Sequence, residues 1–278
     1  MTKNTLLINL FLTGLIALDY WLYPDLFCSF LSIIGLMGTV WIISLIVKDA
    51  SIVDIFWGPC FIIYGLSMNY YIGETSERAL LVLGLVSLWA LRIALHIGIR
   101  NIGHGEDVRY ITWRKEAGKQ WWWLSFFRVF YLQGCLAYLI GVPLYFAHTN
   151  PATLTTIEIV ICTGIFGLGL LWETISDIQL KSFRKDPNNK GKICTVGLWK
   201  YSRHPNYLGE VLFWWGLYLM TLSVNLNLWW LFICPLSMTL MFTLVTCSMM
   251  DNRSLLNRPD YSTYMAKTSQ LLLWWPKS

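Results

Sequence analysis

Ionisable side chains recur at helical spacing in two places along this 278-residue chain. Arg92, His96 and Arg100 lie at i, i+4 and i+8, which a helix gathers on one face. Glu173, Asp177 and Lys181 repeat that spacing, and Arg184 follows about one turn on. A basic and an acidic stripe can pair with each other between helices, or line a polar cavity. A further acid, Asp54, stands in Ser51-Ile-Val-Asp-Ile-Phe-Trp-Gly58, among apolar neighbours. There it is either a lone carboxyl suited to proton donation or a carboxylate paired with Arg92.

The densest chemistry runs from Glu173 to Glu210 and closes with Tyr201-Ser-Arg-His-Pro-Asn-Tyr-Leu-Gly-Glu210. Pro205 suits the first turn of a helix, where its missing N–H costs nothing, and Ser202 or His204 could cap that turn. Helix-start amides beside Arg203 and His204 favour an anion such as phosphate. Asn206 and Glu210 then lie one turn apart on the same face. The plainer reading is a basic loop that sets topology and touches anionic lipid. A second polar segment, Gly103-His-Gly-Glu-Asp-Val-Arg-Tyr110, is either a solvated loop or the cover of a ligand. In the second case Arg109 and Tyr110 are its contacts.

The elements that must position these groups follow from composition. The chain is 56% hydrophobic and only 13% charged, with a mean hydropathy of +0.51. Soluble domains carry about 25% charged residues, so a water-soluble enzyme, a disordered chain and a disulfide-rich secreted scaffold are excluded. Eight apolar runs are long enough to span a bilayer: 5–23, 30–47, 53–71, 79–99, 126–147, 155–177, 206–223 and 228–250. A seven-span arrangement with one re-entrant run is the alternative. The first run lacks a clear cleavage site and reads as a span rather than a leader. With both termini on one side, every Lys and Arg except Arg78 and Arg92 falls on that side, which predicts cytoplasmic termini.

Trp121, Trp122, Trp123, Trp229, Trp230, Trp274 and Trp275 lie near span ends and read as an aromatic belt. Of the seven Cys, none forms Cys-x-x-Cys, so neither a zinc site nor a disulfide framework is expected. Gly164, Gly167 and Gly169 echo a dinucleotide fingerprint, but with no preceding strand they read as helix-packing positions.

Several of these segments carry a resemblance. Val53-Asp54 to Trp57-Gly58, Gly105-Glu-Asp-Val-Arg109-Tyr110, Gln133-Gly134, the block Gly197 to Glu210, and Arg258-Pro-Asp-Tyr261 with Tyr264 resemble a bacterial and plant membrane-protein family of unknown function (DUF1295). That family is grouped with the steroid 5-alpha-reductases, within a superfamily that also holds isoprenylcysteine methyltransferases and sterol reductases. The resemblance runs from about residue 50 to the end. It implies an all-α polytopic bundle of seven to eight transmembrane helices, a single membrane domain over 1–278. Within it, 51–278 is the reductase-like region and 173–278 the most characteristic part.

The resemblance also implies an NADPH-dependent reductase of a C=C bond in a lipid or steroid-like enone. By position, Asp177, Arg184 and Asn206 match nucleotide-binding residues, and Glu173 stands where the reductases have Asn. The implied cofactor site is Glu173, Asp177, Arg184, Tyr201, Arg203, His204, Asn206, Tyr207 and Glu210, with Arg109 and Tyr110 from the second loop. Asp54, Trp89 and Arg92 make the implied catalytic set, without a metal. Val53 replaces the Gln and Trp89 the Tyr of the reductases' Gln-Glu…Tyr set, and Trp has no phenolic proton to give. The rival is an S-adenosylmethionine-dependent methyltransferase that shares the Arg-His-Pro turn. Such enzymes show paired glutamates after the last span, where this chain reads Met249-Met-Asp-Asn-Arg253. A lipid-binding or transport protein is a third class. The expected partners are membrane lipids and a lipid-like substrate, not nucleic acid. The expected location is the bacterial inner membrane, or the endoplasmic reticulum in a eukaryote, with the active-site loops cytoplasmic.

Overall fold

The computed structural model describes residues 3–73, 76–101, 103–149, 155–258 and 260–276, which leaves Pro259 of the tail motif outside the described residues. Among the described residues the ordered elements are all helical, with no strand. The chain divides into two compact units, Met1–Thr153 and Leu154–Ser278.

The first unit holds α1 (Lys3–Leu22), α2 (Leu26–Val47), α3 (Val53–Ile72), α4 (Glu77–Asn101), α5 (Val108–Ala117), α6 (Trp121–Ser125) and α7 (Leu132–Thr149). α6 runs into α7 through a π-helical turn, Phe126–Tyr131. α3 packs on α2, α4 and α7. It approaches α4 closely because a Cβ at Gly58 would lie 2.7 Å from the Ala90 carbonyl oxygen. The core between them is aromatic, with Phe61, Tyr64, Trp89 and Tyr138 fully buried. Trp89 is therefore a core ring; of the expected belt, Trp122, Trp123, Trp229, Trp274 and Trp275 are exposed, Trp230 is half-buried, and Trp121 is a core residue instead.

The second unit holds α8 (Thr156–Lys185), α9 (Pro205–Leu222), α10 (Ile233–Leu240), α11 (Cys247–Asn257) and α12 (Tyr261–Lys267). A capping box starts α8: the Thr155 hydroxyl accepts from the Glu158 amide while the Glu158 carboxylate accepts from the Thr155 amide. Glu158 is thus a helix cap and not a buried charge in mid-membrane. α8 and α9 pack through glycines. A Cβ at Gly169 would sit 2.6 Å from the Gly209 carbonyl, and one at Gly216 would sit 2.9 Å from the Phe166 amide. Of the three glycines expected to pack, Gly164 and Gly167 face open space and only Gly169 makes this contact.

Among the described residues, seven helical stretches are long and apolar enough to cross a membrane, and the chain is a polytopic all-α membrane protein. Their exposed faces carry large apolar residues such as Ile42, Ile46, Leu91, Leu95, Leu168 and Leu171, suited to lipid. The expected span at 206–223 is α9, an 18-residue apolar helix, most of whose side chains are buried against neighbours that include α8 and α10.

Candidate active site

In the first unit the site is built on the start of α3. Asp49 accepts from the amide and hydroxyl of Ser51, which turns the chain into a short 3-10 segment, Ala50–Ile52. Asp54 follows in the first turn of α3, where the helix dipole favours a carboxylate. Its partner comes from the second polar loop, not from α4. Arg109 donates to Asp54 Oδ2 at 3.0 Å, and Tyr110 Oη donates to Oδ1 at 2.9 Å. Gln133 Nε2, from the start of α7, donates to Tyr110 Oη at 3.4 Å.

The loop is pinned so that it can do this. Gly105 takes φ 68°, a conformation that L side chains resist. Glu106 then accepts from Arg114 at 2.7 and 3.0 Å and from the Ala50 amide at 2.8 Å. Asp107 caps α5 through the Arg109 amide and also takes Arg109 Nε at 3.0 Å. The guanidinium of Arg109 lies 5.2 Å from the centre of the Tyr110 ring. Tyr110 is buried, while the Asp54 side chain keeps 21% exposure, so the cluster is sunk but open.

This geometry changes three expectations. Asp54 is neither a lone acid nor a partner of Arg92; Arg109 is its counter-ion. Arg109 and Tyr110, expected on the cofactor, belong with Asp54. Of the expected catalytic set, Asp54 anchors this cluster. Trp89 lies behind it in the core, its ring 5.7 Å from that of Phe61, and Arg92 is a half-buried residue one turn along α4. Gln133, quoted only as part of a motif, proves to be the third member.

In the second unit the Arg-His-Pro turn is an anchor. Arg203 donates to Asp251 at 2.9 and 3.2 Å and to the carbonyls of Thr268 and Met265 at 2.5 and 3.1 Å. His204 Nε2 lies 2.8 Å from Asp251 Oδ1, and Tyr261 donates to the same oxygen at 2.6 Å. Ser202 Oγ donates to the Leu271 carbonyl at 2.8 Å, and the Arg203 amide to that of Ser269 at 2.9 Å. Tyr264 donates to the Trp199 carbonyl. Burial, reinforced by the bond to Asp251, pushes the Tyr261 phenol above its ordinary value, so it remains a donor.

Arg203 and His204 were expected to face an anion. Both are buried and bonded to Asp251, and Arg203 to the tail as well. Neither Ser202 nor His204 caps α9 with a side-chain hydrogen bond. Asp251, read only as the one acid of its segment, is the residue sequence reasoning missed. The signal was a carboxylate on the same chain as an Arg-His pair with no other assigned counter-charge.

The remaining expected cofactor residues lie on α8 and α9. Glu173, Asp177 and Glu210 are buried, while Arg184, Lys181, Lys185, Lys190, Lys192 and Lys200 are exposed. A Cβ at Gly209 would lie 2.5 Å from the Glu173 amide nitrogen, so the backbone of α9 abuts this acid. Gly197, with φ 57°, lies against Gln179, which accepts from the Leu198 amide at 2.9 Å and ties the intervening loop to α8. Tyr207 stacks between His204 and Phe242, at 5.6 and 4.7 Å. Tyr201 packs edge-on against Trp275 of the tail, at 5.3 Å. Asn206 Oδ1 is buried with no hydrogen-bond partner among the described residues.

Fold and site together define an all-α polytopic membrane protein with a polar cluster in each unit. Residues 40–268 match the family described as Protein of unknown function (DUF1295), and the chain belongs to it. It also resembles the "Probable O-methyltransferase ustE" of Ustilaginoidea virens, with 51% identity over 43 residues. That stretch is 16% of this chain and 15% of the fungal protein. No solved structure matches the chain.

Proposed function

We propose that the protein is a membrane-embedded, NADPH-dependent reductase of a C=C bond in a lipid or steroid-like enone, with its cofactor loops on the cytoplasmic side. The observation that supports this reading is the second unit's combination of buried acceptors on α8 and α9 with exposed cations on α8 and the loop after it. Glu173, Asp177, Glu210 and the unsatisfied Asn206 Oδ1 suit ribose hydroxyls and amide or amino N–H groups. Lys181, Arg184, Lys185, Lys190 and Lys192 suit a pyrophosphate and a 2′-phosphate. The donor set therefore fits NADPH. It fits S-adenosylmethionine less well, because that molecule brings a sulfonium cation and no phosphate to a surface already positive.

When bound, NADPH supplies a hydride to the β-carbon of an activated alkene. The chain's own residues do the rest. Arg184 and the neighbouring lysines bind phosphate, Asp177 and Asn206 orient the nucleotide, and the apolar helices exclude water from the substrate. In the first unit, Asp54, Arg109 and Tyr110 form a separate polar cluster.

The second reading is an S-adenosylmethionine-dependent methyltransferase. The short match to the protein named a probable O-methyltransferase favours it. Equilibrium binding to purified full-length protein separates the two. The reductase reading expects NADPH to bind and S-adenosylmethionine not to; the reverse result overturns it.

A further inference from the structure

The first unit carries an apolar groove on its outer wall, apart from the polar cluster at Asp54. It is a cavity of about 300 Å³ lined by Gly38, Trp41 and Ile42 of α2, Trp123 of α6, and Phe126 and Phe127 of the π-helical turn. That volume lies at the lower end of ordinary ligand pockets, about 300–1,000 Å³. No lining residue is charged, and Ile42, Trp123 and Phe127 are exposed, so the groove opens toward the apolar part of a bilayer.

Its walls are held by specific bonds. Trp41 Nε1 donates to the Trp122 carbonyl at 3.0 Å and to Ser125 Oγ at 3.2 Å, which fixes the indole. Phe126 stands edge-on to that ring at 5.3 Å and to Phe127 at 5.1 Å. Asn9 of α1 donates to the Phe127 carbonyl at 3.0 Å and braces the turn. A π-helical turn shifts its side chains out of the α-helical register, and such turns recur at functional sites. At Gly38 a Cβ would meet nothing within 4 Å, so the missing side chain leaves space.

Charge at one end of the groove indicates what fills it. α2 and the α6–α7 segment run antiparallel, with Gly134 against Ile34 and Met37, and Trp122 and Ser125 against Trp41. Continuing that register about two turns past Trp41 brings Lys48, at the end of α2, level with Lys119. Lys119 also precedes Trp123 by four residues in one continuous helical stretch, which sets it over the groove. Both lysines are exposed. The acids near them are engaged: Asp49 accepts from Ser51, Glu106 pairs with Arg114, and Glu116 pairs with Arg128. We propose that the groove holds one acyl chain of an anionic glycerophospholipid whose phosphate lies between Lys48 and Lys119. Lysine stems lie along apolar surface while their ammonium groups reach the headgroup. The exposed rings of Trp122 and Trp123 suit the same depth. This site is independent of which reaction the protein catalyses.

The test uses full-length protein in phosphatidylcholine nanodiscs doped at low mole fraction with one of two probes. One is a phosphatidylglycerol and the other a phosphatidylcholine, each with the same diazirine-bearing acyl chain. After illumination, mass spectrometry counts adducts on residues 120–128. One lysine beside an anionic headgroup is worth about fivefold, so the pair predicts about 30-fold more labelling by the phosphatidylglycerol probe. Lys48→Ala with Lys119→Ala should make the two probes label equally. Gly38→Leu should fill the groove and remove both labels at an unchanged denaturation midpoint; if that midpoint falls, the lysine variant decides alone. Equal labelling of the wild type by both probes overturns the proposal, because the groove is then part of the general lipid shell. An undiminished preference in the lysine variant overturns it, and so does undiminished labelling of a stably folded Gly38→Leu. Absence of both labels from the wild-type stretch overturns it as well, and cross-linked dimers in that case identify a second copy as the cover.

Discussion

Replacing Asp251 by Asn tests the structural part of the account. The carboxylate accepts from Arg203 Nε and Nη2 at 3.2 and 2.9 Å, from His204 at 2.8 Å and from Tyr261 at 2.6 Å. Its side chain is 3% exposed and that of Arg203 9%, so water cannot replace it. Asn keeps the volume but removes the charge, and turns an amide donor toward a set of donors. Breaking one side of a buried ion pair costs about 3–5 kcal/mol, a large part of the roughly 5–15 kcal/mol that holds an ordinary fold together. The loss should be local as well. Arg203 holds the carbonyls of Met265 and Thr268, so the segment around the exposed Lys267 should loosen. Denaturation in detergent, followed by tryptophan fluorescence, reads the first effect, and tryptic cleavage at Lys267 reads the second. The double variant Asp251→Leu with Arg203→Met removes both charges and should recover part of the loss. An Asp251→Asn protein within about 0.5 kcal/mol of wild type, the ordinary scatter of harmless surface changes, with unchanged cleavage at Lys267, would refute the reasoning.

Other consequences concern packing, the loop and the cofactor. Gly209→Val should push α8 from α9, because even a Cβ would meet the Glu173 amide at 2.5 Å and the Gly169 carbonyl at 2.7 Å; a loss of about 3 kcal/mol or more is expected in the same denaturation assay. Glu106→Gln keeps one acceptor for the Ala50 amide but loses the ion pair to Arg114, so the loop carrying Arg109 and Tyr110 should exchange amide hydrogens faster. Arg184→Ala and Asp177→Ala should each weaken NADPH binding, as isothermal titration would show. Unchanged affinity in both would move the cofactor elsewhere.

Much of the architecture was legible because bilayer spans announce themselves by length and apolarity. The apolar run of α9 was legible as a helix, though not its packing between α8 and α10. Helical spacing correctly put Glu173 and Asp177 on one buried face. Spacing has no reach between elements, however, so the partners of Asp54 and Arg203 were not legible. Asp54 meets Arg109 and Tyr110 across 55 and 56 residues, and Arg203 meets Asp251 across 48. Nothing local marks such pairs. Arg92, placed near Asp54 by reasoning about buried charges alone, lost to a loop arginine that Gly105, Glu106 and Asp107 hold in place. The Arg-His-Pro turn misled for a related reason. A basic helix start favours anions, and here the anion is the protein's own Asp251.

The central claim is that the buried acceptors of α8 and α9 and the exposed cations beside them receive NADPH. Its most direct test is competitive binding of NADPH and S-adenosylmethionine to purified full-length protein across a salt series. The account predicts that NADPH binds, that its affinity falls as salt screens the lysines and Arg184, and that S-adenosylmethionine does not displace it. Tight binding of S-adenosylmethionine with none of NADPH would contradict it.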